Sequence, residues 1–162
     1  MVHSVKSLKF ERRKGYTQMQ TEFRINSNTK KFDKIAVAQL HDDQTGSKGV
    51  FSIYQVRKCG SSWCFGVQGD TTEASNSYSK FDTVKIKLGK YYRLKLRSYT
   101  AGKSKSVEVA ELYDGSKRIW RETVKGGGDS EAYYKIGVYK LSGGKGPITA
   151  DFKNTRFWTG KK

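Results

Sequence analysis

An all-β fold, a sandwich or a barrel in one domain covering residues 1–162, is what the sequence predicts. Three observations carry the prediction. No segment shows the 3.6-residue apolar period of a helix. Short runs of alternating apolar and polar residues follow one another, separated by Gly, Asn, Asp and Ser. Aromatic residues reach 13%, with ten Tyr, eight Phe and three Trp, a composition suited to half-buried strands.

In chain order, strands are expected over 17–26, 34–41, 50–58, 63–68, 83–88, 91–99, 106–113, 119–124, 133–141 and 148–158. Turn chemistry separates them. Pro147 is the single proline and sits in Gly143-Gly144-Lys145-Gly146-Pro147, where no ladder needs its missing N–H. Gly126-Gly127-Gly128 reads as a flexible loop inside the domain, because composition does not change across it.

The formal net charge is +17. Such a charge says nothing about fold, but it attracts polyanions and repels a second copy of the chain, so a monomer is expected. The candidate partners are an acidic polysaccharide, a nucleic acid and an anionic membrane. The cations are spread along the chain in short runs such as Arg12-Arg13-Lys14 and Lys161-Lys162, not gathered in a basic tail. No stretch has the length and hydropathy of a membrane span, and the first residues lack the apolar core of a signal peptide. A secreted or extracellular location is the expectation, reached after removal of a leader or by another route of release.

Cys59 and Cys64 bracket Gly60-Ser61-Ser62-Trp63 between two strand-like runs. A disulfide here implies an oxidising compartment, and two free thiols remain the alternative. With His3 and His41 as the only histidines and no second cysteine pair, a metal site is not expected.

Alternation divides three of the strands into an apolar and a reactive face. In 17–25, Thr17, Met19, Thr21, Phe23 and Ile25 oppose Gln18, Gln20, Glu22 and Arg24. In 35–41, Ala36, Ala38 and Leu40 oppose Ile35, Val37, Gln39 and His41. In 133–139, Tyr134, Ile136 and Val138 oppose Tyr133, Lys135, Gly137 and Tyr139. If the three strands share a sheet, Arg24, Gln39, His41, Lys135 and Tyr139 gather on one side. A cation, an amide, an imidazole and a phenol together can neutralise a carboxylate and move a proton. The plainer reading is the ordinary solvent face of an antiparallel sheet.

Gln20-Thr21-Glu22-Phe23-Arg24 resembles the Arg-x-Glu-Leu-Arg motif of polysaccharide lyase family 7, the alginate lyases. Gln39-Leu40-His41 resembles that family's Gln-x-His, and Tyr133-Tyr134-Lys135-Ile136-Gly137-Val138-Tyr139 its Tyr-Phe-Lys-Ala-Gly-x-Tyr. The three occur in the family's order, followed by Ala150-Asp151-Phe152, which resembles its closing strand. Gln20 stands where the family has an arginine. The chain is also short for the family, whose jelly-roll plan is shared by the related glucuronan lyases.

The resemblance implies a concanavalin-like jelly roll of two antiparallel sheets and β-elimination on an acidic polyuronate of alginate or glucuronan type. It implies that Gln39 and Arg24 neutralise the substrate carboxylate and that Tyr139 protonates the leaving glycosidic oxygen and also serves as a base. His41 is implied to be the base for the other epimer, or to hold Tyr139 ready. Gln20, Glu22, Lys135 and Tyr133 would bind substrate, with Lys135 on a neighbouring carboxylate or lowering the pKa of Tyr139. No metal or organic cofactor is called for. Arg57, Lys58, Arg93, Lys95, Arg97 and the lysines near Lys103 are candidate cations for the polymer, and Trp63, Tyr54 and Tyr78 candidate sugar-stacking rings.

Two rivals have other signatures. A non-catalytic polysaccharide-binding module fits the Gln20 departure and the short length, but has no use for both His41 and Tyr139. A nucleic-acid-binding or structural β protein fits the charge. A nucleic-acid partner is not expected, because no RNA-recognition pattern groups the aromatic residues.

Overall fold

The computed structural model describes residues 6–11, 16–27, 32–42, 50–69, 83–100, 105–127 and 131–160. It is a two-sheet antiparallel sandwich. The strands are β1 (Lys6–Glu11), β2 (Tyr16–Ile25), β3 (Phe32–Asp42), β4 (Val50–Cys59), β5 (Ser62–Gly69), β6 (Val84–Ile86), β7 (Tyr91–Thr100), β8 (Lys105–Asp114), β9 (Lys117–Gly127), β10 (Glu131–Gly143) and β11 (Ala150–Gly160). A six-stranded sheet has the order β1-β10-β3-β4-β5-β6, and a five-stranded sheet the order β11-β2-β7-β8-β9. The expected jelly-roll sandwich is the observed architecture.

Alternation explains which faces meet. From the five-stranded sheet, Met19, Phe23, Leu94, Leu96, Ala110 and Leu112 enter the core; from the six-stranded sheet come Leu40, Tyr54, Val56, Phe65, Tyr134 and Ile136. Phe65 is the hub. Its ring lies 5.8 Å from that of Phe23, 6.4 Å from Tyr54 and 5.1 Å from Trp120, the last edge-on at 86°. Burial of one such side chain contributes about 2–3 kcal/mol. Among the described residues no helix is long and apolar enough to cross a membrane.

Two details depart from simple alternation. Gly126 and Gly127, expected in a loop, continue β9 and pair with Ser106 and Lys105; Gly128 and the basic runs at 12–14 and 161–162 lie outside the described residues. β3 also changes phase. Ala38 pairs with Ile136 and Tyr54 on the core side, whereas Ala36 pairs with Tyr139 and Gln55. β3 has one more residue here than β4, and β10 one more than β3, which is a bulge centred on Val37. Ile35, expected on the face of Gln39 and His41, therefore enters the core, while Ala36 moves to the outer row, in register with Tyr139.

Candidate active site

The outer face of the six-stranded sheet brings three of the four expected catalytic residues together. Gln39 and His41 project from β3, with Leu40 between them buried; Tyr139 projects from the neighbouring β10, past Val138. The Gln39 amide nitrogen donates to the Tyr139 phenol oxygen. The Gln39 carbonyl oxygen lies 2.8 Å from Nε2 of His41. Because that oxygen accepts, Nε2 carries the hydrogen and Nδ1 keeps its lone pair. Gln39 is 7% exposed and fixed from both sides, while His41 and Tyr139 are half-buried and reachable.

Lys135 and Tyr133 complete the face. Lys135 is in register with Gln39, and Tyr133 with His41. The rings of Tyr133 and His41 stack, with centroids 5.0 Å apart and planes 21° from parallel. The Lys135 ammonium lies 5.4 Å from the Tyr133 ring centroid.

Burial and charge tune the two titrating groups oppositely. Desolvation, reinforced by the Lys135 charge, lowers the His41 pKa to about 4, so the imidazole is neutral at neutral pH. Desolvation raises the Tyr139 pKa, so its phenol stays protonated. The expectation that Lys135 lowers the pKa of Tyr139 is corrected: its charge acts on His41. A neutral imidazole with a free lone pair and a protonated phenol, tied to one amide, form a base and an acid.

Arg24 is the main correction. Alternation read its face properly but not its sheet. β2 belongs to the five-stranded sheet, and burial of Met19, Thr21, Phe23 and Ile25 between the sheets turns Gln20, Glu22 and Arg24 to the opposite side of the sandwich from Gln39 and Tyr139. Arg24 is bonded to Asp151 through Nε at 2.9 Å and Nη2 at 2.5 Å, and stacks 4.8 Å from the Tyr91 ring centroid. That carboxylate raises its pKa further. Glu22 accepts from the Asn154 amide. None of Gln20, Glu22 and Arg24 can contact a sugar held by Gln39 and Tyr139.

The strand that borders β10 on its other side is β1, which the strand expectations missed. Its register sets Ser7 opposite Lys135, Lys9 opposite Tyr133 and Glu11 opposite Glu131. The apolar Leu8 and Phe10, alternating with polar neighbours, were the available signal. Gln55 was also missed. It shares the row of Ala36 and Tyr139, is fully buried, donates to Gln68 Oε1 at 3.3 Å, and has no hydrogen-bond partner for its own Oε1 among the described residues.

The remaining candidates scatter. Arg93, Lys95 and Arg97 lie on β7, on the outer face of the other sheet, whereas Arg57 and Lys58 lie on β4. Tyr54 is a core residue and Trp63 packs partly buried against the core. Tyr78 and Lys103 lie outside the described residues. Cys59 and Cys64 form a disulfide that ties β4 to β5. Among the described residues no group of three His, Cys, Asp or Glu side chains could hold a metal ion.

No protein-family model matches the chain, and no curated protein does. Solved structures do share its fold. The chain is similar to the marine family 7 alginate lyase of Zobellia galactanivorans, at 18% identity over 94% of this chain and 65% of that one, with a TM-score of 0.59. It is similar to an alginate lyase of Pseudomonas aeruginosa at 12% identity over 93% and 68%, with a TM-score of 0.59. A family 7 alginate lyase variant in complex with the substrate GGMG gives 13% identity over 96% and 65%, with a TM-score of 0.64. The fold is that of family 7 alginate lyases, and the chain spans about two thirds of the length of those structures.

Proposed function

We propose that the chain is a polysaccharide lyase that cleaves an acidic polyuronate by β-elimination. One observation carries the reading: a single amide, Gln39, holds a protonated phenol on one side and a neutral imidazole on the other, on one exposed sheet face. The fold shared with alginate lyases supports it.

Each group has a task. The C5 proton of a uronate is acidified by the adjacent carboxylate only when that anion is neutralised. Gln39 has a second N–H beyond the one given to Tyr139, and Lys135 stands beside it in register; together they bind the carboxylate and stabilise the enolate-like intermediate. The neutral His41 takes the C5 proton. The electron pair forms the C4–C5 double bond as the C4–O bond breaks, and the Tyr139 hydroxyl protonates the departing oxygen.

The test is absorbance of the unsaturated uronate formed on alginate, glucuronan and other polyuronates. Tyr139→Phe should reduce turnover by about 10²-fold or more while leaving the fold intact. Removal of Arg24 from the groove favours one rival, a binding module on the same scaffold. Retention of polyuronate by the wild-type protein without release of unsaturated ends would establish that rival.

A further inference from the structure

The outer face of the five-stranded sheet carries a second concentration of charge. On β7 the outward positions are Tyr91, Arg93, Lys95, Arg97 and Tyr99, since Tyr92, Leu94, Leu96 and Ser98 are buried. Three successive cations are thus flanked by two tyrosines, along a row about 27 Å long at about 3.4 Å per residue. Two shallow depressions follow this row. One, of about 290 Å³, is bounded by Tyr91, Arg93 and Arg156; the other, of about 410 Å³, by Lys95, Arg97, Tyr99 and Arg121.

Three features define the ligand chemistry. First, cations outnumber carboxylates there: Glu22 and Glu111 line the two depressions, in register with Arg93 and Lys95, but among the described residues no carboxylate lies within ion-pair distance of Arg93, Lys95, Arg97 or Arg156. Second, Nε of Arg93 is buried beside the first depression without an acceptor among the described residues. Third, the cations are mounted on rings. Arg93 lies 4.6 Å from the Tyr113 centroid, Arg97 4.8 Å from that of Tyr16, and Lys153 3.9 Å from that of Tyr91. Gln18 holds Arg97 at 3.1 and 3.0 Å. A guanidinium stacked on a ring is held in place with N–H edge left for a planar oxyanion. The same stacking occupies one face of Tyr113, Tyr16 and Tyr91, leaving less ring surface for nucleic-acid bases. The arrangement therefore favours a carboxylate-bearing polymer over a single-stranded nucleic acid.

We infer that this face is a second, non-catalytic binding surface for an anionic polysaccharide. It holds one stretch of polymer by its carboxylates while the groove on the opposite sheet works on another, raising the local concentration of substrate. The identity of the polymer as a polyuronate rests on the proposed function of the groove; the anion-binding surface does not.

The test is affinity electrophoresis through gels containing alginate or glucuronan, performed in a Tyr139→Phe background so that the polymer persists. Arg93→Gln/Arg97→Gln should weaken retention about tenfold, and Lys95→Gln/Arg156→Gln should do likewise should the first pair fail to fold. Lys117→Gln/Lys145→Gln, an equal charge change at two exposed positions, should weaken it less than about twofold. In the otherwise native protein the arginine pair should raise KM on long polymer and leave turnover of a short oligouronide unchanged. Equal losses in the arginine and control pairs, or no loss in either, overturn the proposal. So does tighter binding of a single-stranded oligonucleotide of matched charge that depends on the same arginines. Arginine-dependent retention in a protein that never releases unsaturated ends would sink the lyase reading and leave this surface standing.

Discussion

The Gln39 amide nitrogen donates to the phenol oxygen of Tyr139 across the seam between β3 and β10. Tyr139 reaches Gln39 although its register partner is Ala36, a small residue that the bulge at Val37 brings to the same face. With the amide as donor, the phenol keeps its own hydrogen for a leaving group. Gln39→Leu removes the proposed carboxylate donor and both tethers in one change. Turnover should fall by about 10²–10³-fold, the usual cost of a lost preorganised donor. Adding Tyr139→Phe to Gln39→Leu should cost far less than its effect alone, because the two act as a unit. Additive losses in steady-state kinetics would contradict the linkage.

The pH dependence follows from His41. Its pKa in the fold is about 4, below the ordinary value of 6.5. As the proposed base it is active when neutral, so kcat/KM should hold from pH 7 down to about 5 and fall through about 4. Stability carries the same sign. The unfolded chain binds a proton at this site more readily than the folded one, so His41 contributes fully above 6.5 and its contribution is lost as pH falls towards 4. His41→Gln should flatten the melting temperature over that interval relative to the native protein. A kinetic acid limb centred near 6.5 would show that His41 is not desolvated in the working enzyme.

Much of this was legible in the sequence, for a local reason. Gln39 and His41 share a face because two residues separate them, and Tyr133, Lys135 and Tyr139 follow the same rule. Sheet membership is not local. Nothing in 17–25 tells whether β2 borders β3 or lies across the core from it, and Arg24 was misplaced on that account. The phase change at Val37 was hidden too, because Ile35 and Val37 are apolar wherever they point. Glu108 alternates with Ala110 and Leu112, so its buried position was readable, but its partners on the other sheet were not.

The Cys59–Cys64 bond closes a short hairpin loop of low sequence separation, 5 residues. Closing so small a loop stabilises by about 2 kcal/mol at most. Reduction should therefore lower the melting temperature by only a few degrees and spare the proposed activity, since neither cysteine touches Gln39, His41 or Tyr139. Titration of the unreduced native protein should find no thiol at either position. Unfolding on reduction would mean that the hairpin β4–β5 nucleates the sheet rather than decorating it.

The sandwich is also pinned through its core by a polar contact. Glu108 of β8 is fully buried, and its Oε1 accepts from Ser52 Oγ at 2.5 Å and from the Tyr54 hydroxyl, both on β4 of the opposite sheet. Burial, and then the Glu108 charge, raises the Tyr54 pKa well above 10, so the phenol remains a donor across the whole stability range of the protein. A buried carboxylate deprived of a donor cannot turn to water for another. Tyr54→Phe should therefore destabilise by about 1–3 kcal/mol, despite conserving nearly all the packed ring. Ser52→Ala should act in the same direction, and the double variant should deviate from additivity because the two hydroxyls share one acceptor. Replacing Glu108 by Leu in the Tyr54→Phe, Ser52→Ala background removes the stranded polar group and should recover part of the loss. Denaturant melts of the four variants decide it: a Tyr54→Phe protein as stable as the native one would mean that the carboxylate is satisfied without the phenol.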